Sequence, residues 1–296
     1  MKPWIIFIAL ATLLYGTLHF LYKVAKEKGL NAEMLVNVVG GTVALLALAS
    51  LFAMRESVLQ AFTSKTLQYA FFNGLCFGLA NLSAYAALGR SPAAIVFPVA
   101  RLNTVLVMLI GVFFFKDSPT GLQYGGMALA VTVVLLVAYE EWRTNRDEYG
   151  KPRLSGLLFA LMAALFFALS LTISKLAAIS SESRLAYIAA SYALIFCFTL
   201  ITYMAKRIKP PYARAIRNGQ VLGFGMLIGL LNYVGYLLVL QAFVTGPLSL
   251  VQAIFSTSIV ITIVLAYFVY KESFTIFRVV AVGCAIGSVV MISWKQ

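Results

Sequence analysis

The stretch PAAIVFPVARLNTVLVMLIGVFFFKDSPT at residues 92–120 returns 155 positions later as PLSLVQAIFSTSIVITIVLAYFVYKESFT at residues 247–275. A gapless shift takes Pro92 to Pro247, Val96 to Val251, Val105 to Val260, Lys116 to Lys271, Asp117 to Glu272, Ser118 to Ser273 and Thr120 to Thr275. Upstream it also takes Gly74 to Gly229 and Leu75 to Leu230, while an offset of 152 relates Lys23 to Lys175 and one of 157 relates Gly126 to Gly283. An ordered series along most of a half is an internal duplication.

The duplicated unit is built for lipid. Of 296 residues 62% are apolar and 11% charged, with a mean hydropathy of +0.93, where a soluble domain is nearer half apolar and a quarter charged. A bilayer core of about 30 Å needs roughly 20 apolar residues per helix. Ten such segments are present, at residues 4–22, 34–54, 68–88, 92–115, 121–140, 154–178, 185–205, 219–244, 247–270 and 275–294. They are expected to be helices, because lipid offers backbone N–H and C=O groups no partner. The first span follows a single lysine and has no small-residue cleavage site, so it reads as a retained helix, not a signal peptide. The most charged stretch, Glu140 to Arg153, divides the chain into repeats 1–141 and 154–296 joined by a linker at 142–153. Five is odd, so the second copy enters the membrane from the opposite side. The expected fold is an all-α integral membrane protein of ten transmembrane helices in two inverted five-helix repeats.

Inverted repeats are the usual build of secondary transporters, with the substrate near the midplane where the repeats meet. The fourth and ninth spans, with their Pro92 or Pro247, Lys116-Asp117-Ser118 or Lys271-Glu272-Ser273, and Thr120 or Thr275, followed by the glycines of the fifth and tenth spans, resemble the EamA-type repeat of the drug/metabolite transporter superfamily. The resemblance covers nearly the whole chain. It implies a ten-helix carrier of the cell membrane, in a superfamily that moves amino acids, nucleotide sugars, phosphorylated metabolites, vitamins or drugs, and leaves the substrate open. Asn37 departs from it: many members carry an arginine in that region.

Polar residues at membrane depth are the candidate substrate site. Arg101 is the one charge placed well inside a span, and a central arginine costs roughly 2.5 to 3.5 kcal/mol on insertion scales. It suits a substrate carboxylate or phosphate, or serves as internal glue; its repeat mate is Ser256. His19, with Tyr15 and Lys23 on one face of the first span, could couple proton movement or simply bridge helices. Asn73, Phe77, Asn81 and Tyr85 recur every four residues and form a stripe on the third span. Asn232, Tyr233 and Tyr236 answer them in the eighth, and Gln252 and Ser256 in the ninth. Pro98 can open a turn beside Arg101. Glycines four apart, such as Gly121 with Gly125 and Gly283 with Gly287, are expected to pack helices within the chain or across a homodimer.

Charge and composition set aside several classes. The net charge of +13 reads as loops near anionic headgroups, so membrane lipids and a small solute are the expected partners and nucleic acid is not. All ten acidic residues lie in loops or near span ends, which leaves no deep carboxylate for cationic-drug antiport, although tyrosine faces could hold a quaternary amine. One histidine and no Gly-x-Ser-x-Gly pattern leave an intramembrane enzyme without a constellation. Cys76, Cys197 and Cys284 share no short spacing, and neither a metal nor a cofactor is called for. A non-transporting adaptor remains the rival. Of 23 Lys and Arg, 15 follow odd-numbered spans, 7 lie on the opposite side and Arg101 is within one. That bias favours termini outside the cytoplasm, whereas the resemblance implies termini within it.

Overall fold

The computed structural model describes residues 2–55, 57–91, 96, 99–144, 154–180, 183–206, 219–271 and 275–294. Twelve helices are present among them: α1 (Pro3–Glu27), α2 (Ala32–Ala53), α3 (Val58–Ala61), α4 (Ser64–Leu88), α5 (Asn103–Phe113), α6 (Gly121–Thr144), α7 (Leu154–Ile179), α8 (Arg184–Lys206), α9 (Gly219–Thr245), α10 (Leu248–Ser256), α11 (Ser258–Tyr270) and α12 (Ile276–Ser293). Nine stretches are long and apolar enough to cross a membrane, counting α10 and α11 as one, and α5 is a shorter apolar helix from the fourth span. Pro92, Pro98, Glu272, Ser273 and most of the charged linker lie outside the described residues. The short α3 has no counterpart among the expected spans.

The duplication extends to helix ends. Lys116 and Lys271, repeat mates just past α5 and α11, both take the left-handed backbone, with φ of 56° and 52°. Glycine usually fills this position because a Cβ costs roughly 1–2 kcal/mol there. Their charge at a helix C-terminus offsets part of that cost through the helix dipole. Thr120 and Thr275, also mates, cap the helices that follow: Thr120 Oγ1 accepts from Gln123 N–H at 3.4 Å, and Thr275 Oγ1 from Arg278 N–H at 3.4 Å. Gln123 returns the bond, its Oε1 accepting from Thr120 N–H at 2.9 Å, which completes a capping box.

Packing follows the same duplication. Helix α4 lies on α7 and α1 on α9, which are equivalent pairs; α2 packs on α8 and α6 on α12, each with its own counterpart, and α5 of the fourth span packs on α10 of the ninth. Small residues allow the close contacts. A Cβ on Gly16 of α1 would stand 2.5 Å from Ile261 Cβ and 2.7 Å from Ser258 O, and Thr262 Oγ1 uses that approach to donate to Gly16 O at 2.9 Å. Gly125 and Gly126 of α6 face Met291, Ser288 and Ile292 of α12, whereas Gly121 and Gly283 meet nothing within 4 Å. The inner glycines of the fifth and tenth spans thus serve contact within the chain. The α6–α12 pair is held at both ends, by Gln123 Nε2 donating to Ile292 O at 3.4 Å and by Arg278 Nε against Glu140 Oε1 at 3.0 Å.

Candidate functional site

Both copies of the duplicated stretch interrupt their helix at the same place. Helix α5 begins at Asn103 and α11 at Ser258, repeat mates, and the residues just before them, Arg101–Leu102 and Thr257, leave the α-helix. The tightened turns match: Leu102 N–H donates to Val99 O and Thr257 N–H to Ile254 O, each at 3.1 Å. A broken turn in lipid exposes carbonyls, and here side chains serve them. Ser256 Oγ donates to Ala253 O at 2.8 Å and Thr257 Oγ1 to Ile254 O at 2.7 Å. The first break falls at Arg101 with Pro98 outside the described residues. The second has no proline, and its sequence signal is the hydroxyl run Ser256-Thr257-Ser258 in an apolar span.

The breaks flank a polar cluster on α1. Tyr15 OH donates to Asn232 Oδ1 at 3.0 Å, and Tyr192 OH donates to the same oxygen at 2.9 Å. Gly235 makes this possible, since a Cβ there would lie 2.9 Å from Tyr15 Cε2. Two phenols saturate the amide oxygen and fix the side chain, leaving its NH2 group without a hydrogen bond among the described residues. Phe255, at the second break, meets Tyr15 edge-on at 4.8 Å, and His19 meets it at 6.2 Å. His19 also lies within electrostatic reach of Arg101, and its Nδ1 is buried without a partner. Helices α1, α8 and α9 and the broken ninth span therefore converge on one locus of amide, phenol and imidazole, with the Arg101 guanidinium within electrostatic reach of its histidine.

Toward the end where α7 and α9 finish lies a second polar network. Tyr236 OH shares hydrogen bonds with Ser174 Oγ at 2.8 Å and Tyr187 OH at 3.3 Å, Ser174 Oγ reaches Tyr187 OH at 3.1 Å, and Ser170 Oγ donates to Asn73 Oδ1 at 2.6 Å. Beyond this network Lys175 is buried, 7% exposed. Its ammonium donates to Phe243 O and to Gly246 O, the latter at 2.9 Å. Asp117 faces it across the turn, its Oδ2 accepting from Ser249 N–H and Ser249 Oγ, both at 2.8 Å, at the start of α10. Lysine and aspartate thus cap the two helix ends of the Gly246–Pro247 turn. Arg101 is therefore not the one cation within a span. A lysine near a helix end reads as a loop charge in sequence, and only packing shows it buried.

Other candidate residues fall elsewhere. Asn81 Nδ2 donates to Phe77 O of its own helix at 2.7 Å. Tyr233 turns away from the cluster, and its hydroxyl donates to Ser50 Oγ at 2.6 Å. Gln252 is buried between α10 and α5, with Nε2 donating to Thr104 Oγ1 at 3.4 Å. Asn37 Nδ2 ties α2 to α8 through Phe196 O and Thr199 Oγ1, both at 3.0 Å. Along α4 the stripe opens progressively, from buried Asn73 through half-buried Phe77 and Asn81 to Tyr85, 51% exposed. Tyr85 lies within electrostatic reach of Tyr22 on α1. Tyr187 and Tyr192, which the sequence did not single out, complete these networks.

A sequence model of the EamA-like transporter family matches residues 2–139 and again 154–294. An uncharacterized protein of Methanocaldococcus jannaschii, MJ1333.1, is 27% identical over 130 residues, which are 44% of this chain and 91% of that one. A solved crystal structure, described only as that of a protein, superposes with a TM-score of 0.77 at 15% identity over 99% of this chain and 97% of the other. That likeness concerns the fold alone.

Proposed function

The chain belongs to the EamA-like transporter family, and from that premise we propose that it moves a small polar metabolite, an amino acid, organic anion or similar, across the cell membrane by alternating access. The repeats, 1–141 and 154–296 with 142–153 between them, are inverted. The running of equivalent helices supports this: Gln123 at the start of α6 meets Ile292 at the end of α12, while Glu140 near the end of α6 meets Arg278 near the start of α12. Likewise Thr104 pairs with Gln252, whereas Gly111, later in α5, packs on Ser249, earlier in α10. Counterparts that run antiparallel are what a two-fold axis in the membrane plane produces.

The observation that carries the reading is Asn232, held by two tyrosines near the break of the ninth span, with Arg101 within electrostatic reach of His19 on the same helix as Tyr15. Its free NH2 and the guanidinium suit carboxylate or phosphate oxygens, and Tyr15, Tyr192 and Phe255 supply ring faces for the rest of the solute. The half-open stripe of α4 is the route in, and the Ser174–Tyr187–Tyr236 network with Lys175 and Asp117 is the closed gate. Those same rings favour a second reading, a quaternary amine or drug held by tyrosine faces, which Arg101 opposes by charge.

Counterflow in proteoliposomes against amino acids, organic anions, phosphorylated sugars and quaternary amines tests both. Saturable flux of an anionic or zwitterionic solute is expected, weakened in Arg101→Lys and lost in Arg101→Ala and Asn232→Leu with the proteins folded. Unchanged kinetics in all three would remove the site, flux of quaternary amines alone would favour the second reading, and no saturable flux of any class from folded protein would leave a membrane adaptor.

A further inference from the structure

A second cavity, of about 850 Å³, opens between α2, α3, α8 and α9. It is separate from the central cluster because it uses another face of α9: Tyr233, Leu237 and Gln241, four residues apart, line it, while Asn232 and Tyr236 face α1, α7 and α8. We propose that this cavity binds the phosphate headgroup of an anionic phospholipid.

Two cations shape its polar wall. Arg55 and Arg184 both line it, with Ser57 and Gln60 beside them, and no carboxylate is among the described lining residues. Arg184 is already oriented, its Nη1 donating to Gln241 Oε1 across the cavity. Ser183 brings in the start of α8, where its Oγ accepts from Ala186 N–H at 3.3 Å, so the positive end of a helix dipole faces the same space. Arg55 holds the left-handed backbone at φ 55°, turning the chain so that α3 closes the floor.

The lining also has an apolar part, made by Met54, Leu185, Leu237 and Leu238. A free phosphate would satisfy the arginines and leave these four against water. A phospholipid satisfies both, placing phosphate on the guanidiniums and its glycerol and first methylenes on the leucines. Position agrees: the cavity lies beside the end of α2 and the start of α8, the ends of spans long enough to reach the headgroups, and Phe52 and Met54, 64% and 70% exposed, carry its apolar rim outward. Basic pockets of this kind between transmembrane helices take anionic headgroups. The inference rests on the membrane reading and is independent of which solute the centre takes.

Binding of phosphatidylglycerol, phosphatidylcholine and glycerol 3-phosphate to the full chain in detergent, followed by native mass spectrometry, tests it. The wild type should retain phosphatidylglycerol over phosphatidylcholine, and a double Arg55→Gln, Arg184→Gln variant should weaken phosphatidylglycerol on the order of tenfold. Leu238→Trp, which fills the apolar wall with both charges kept, should weaken it as well, and Asn232→Leu should not. Equal retention of the two lipids, undiminished phosphatidylglycerol binding in Leu238→Trp, or glycerol 3-phosphate binding as tightly as the lipid would each overturn the proposal. Parallel loss in a folded Asn232→Leu would also sink it, by making the cavity part of the central path. Counterflow on the same preparations separates this result from the transport reading.

Discussion

Two ends of one duplicated molecule have been finished differently. Lys175 and Lys23 descend from the same repeat position, yet Lys175 is buried and donates to two helix-end carbonyls, while Lys23 is half-buried and stands over the Tyr270 ring at 5.5 Å. The breaks in the fourth and ninth spans likewise coincide, but one carries Arg101 and the other Ser256. A duplication fixes where backbones bend; single substitutions then decide which copy buries its cation and which break carries a charge. One repeat position can thus serve as a buried cap in one copy and a cation–π contact in the other.

That contrast can be broken by substitution. The largest effect is expected for Lys175→Met, which leaves Phe243 O and Gly246 O without their donor and Asp117 without its neighbouring charge. Losing hydrogen bonds from a buried charged group should cost about 3 kcal/mol, read as a lower thermal midpoint in detergent, with the Gly246–Pro247 turn becoming reactive at an introduced cysteine. An unchanged midpoint would show that the turn holds without the lysine. Asp117→Ala should cost about 1 kcal/mol, typical of a lost N-cap, and Asp117→Asn less, since an amide oxygen can still accept from Ser249; equal losses would mean that charge, not capping, is what matters. Lys23→Met should change stability by less than about 1 kcal/mol, the range of an exposed cation–π contact, and a loss as large as that of Lys175→Met would erase the distinction between the ends. Smallest are Lys116→Gly and Lys271→Gly, each expected to shift stability by up to about 1 kcal/mol in the stabilising direction by relieving a left-handed backbone. Opposite signs at these mates would show that their helix ends are not equivalent.

Much of this was legible in the chain and some was not. Outside the fourth span, the helix bounds lie within a few residues of the apolar runs, because hydropathy reports directly which segments must satisfy their own backbone. Tyr15, His19, Arg101 and Asn232 could be singled out as polar groups in apolar spans, and of these Tyr15 meets both Asn232 and His19. Tyr233, one residue from Asn232, could not be separated from it by composition, and a rotation of about 100° on the helix sends it to Ser50 and the second cavity. Tyr187 lies near the start of its span, where a tyrosine looks like an interface anchor.

From sequence alone come the ten apolar spans, the duplication and the family, since each is a property of residue order and solvent preference. Tertiary structure decides which polar side chains face one another and where Lys175 is hidden. Those outcomes depend on helix rotation and on approaches of a few ångströms between segments distant in the chain, and a one-dimensional pattern of hydrophobicity does not encode them.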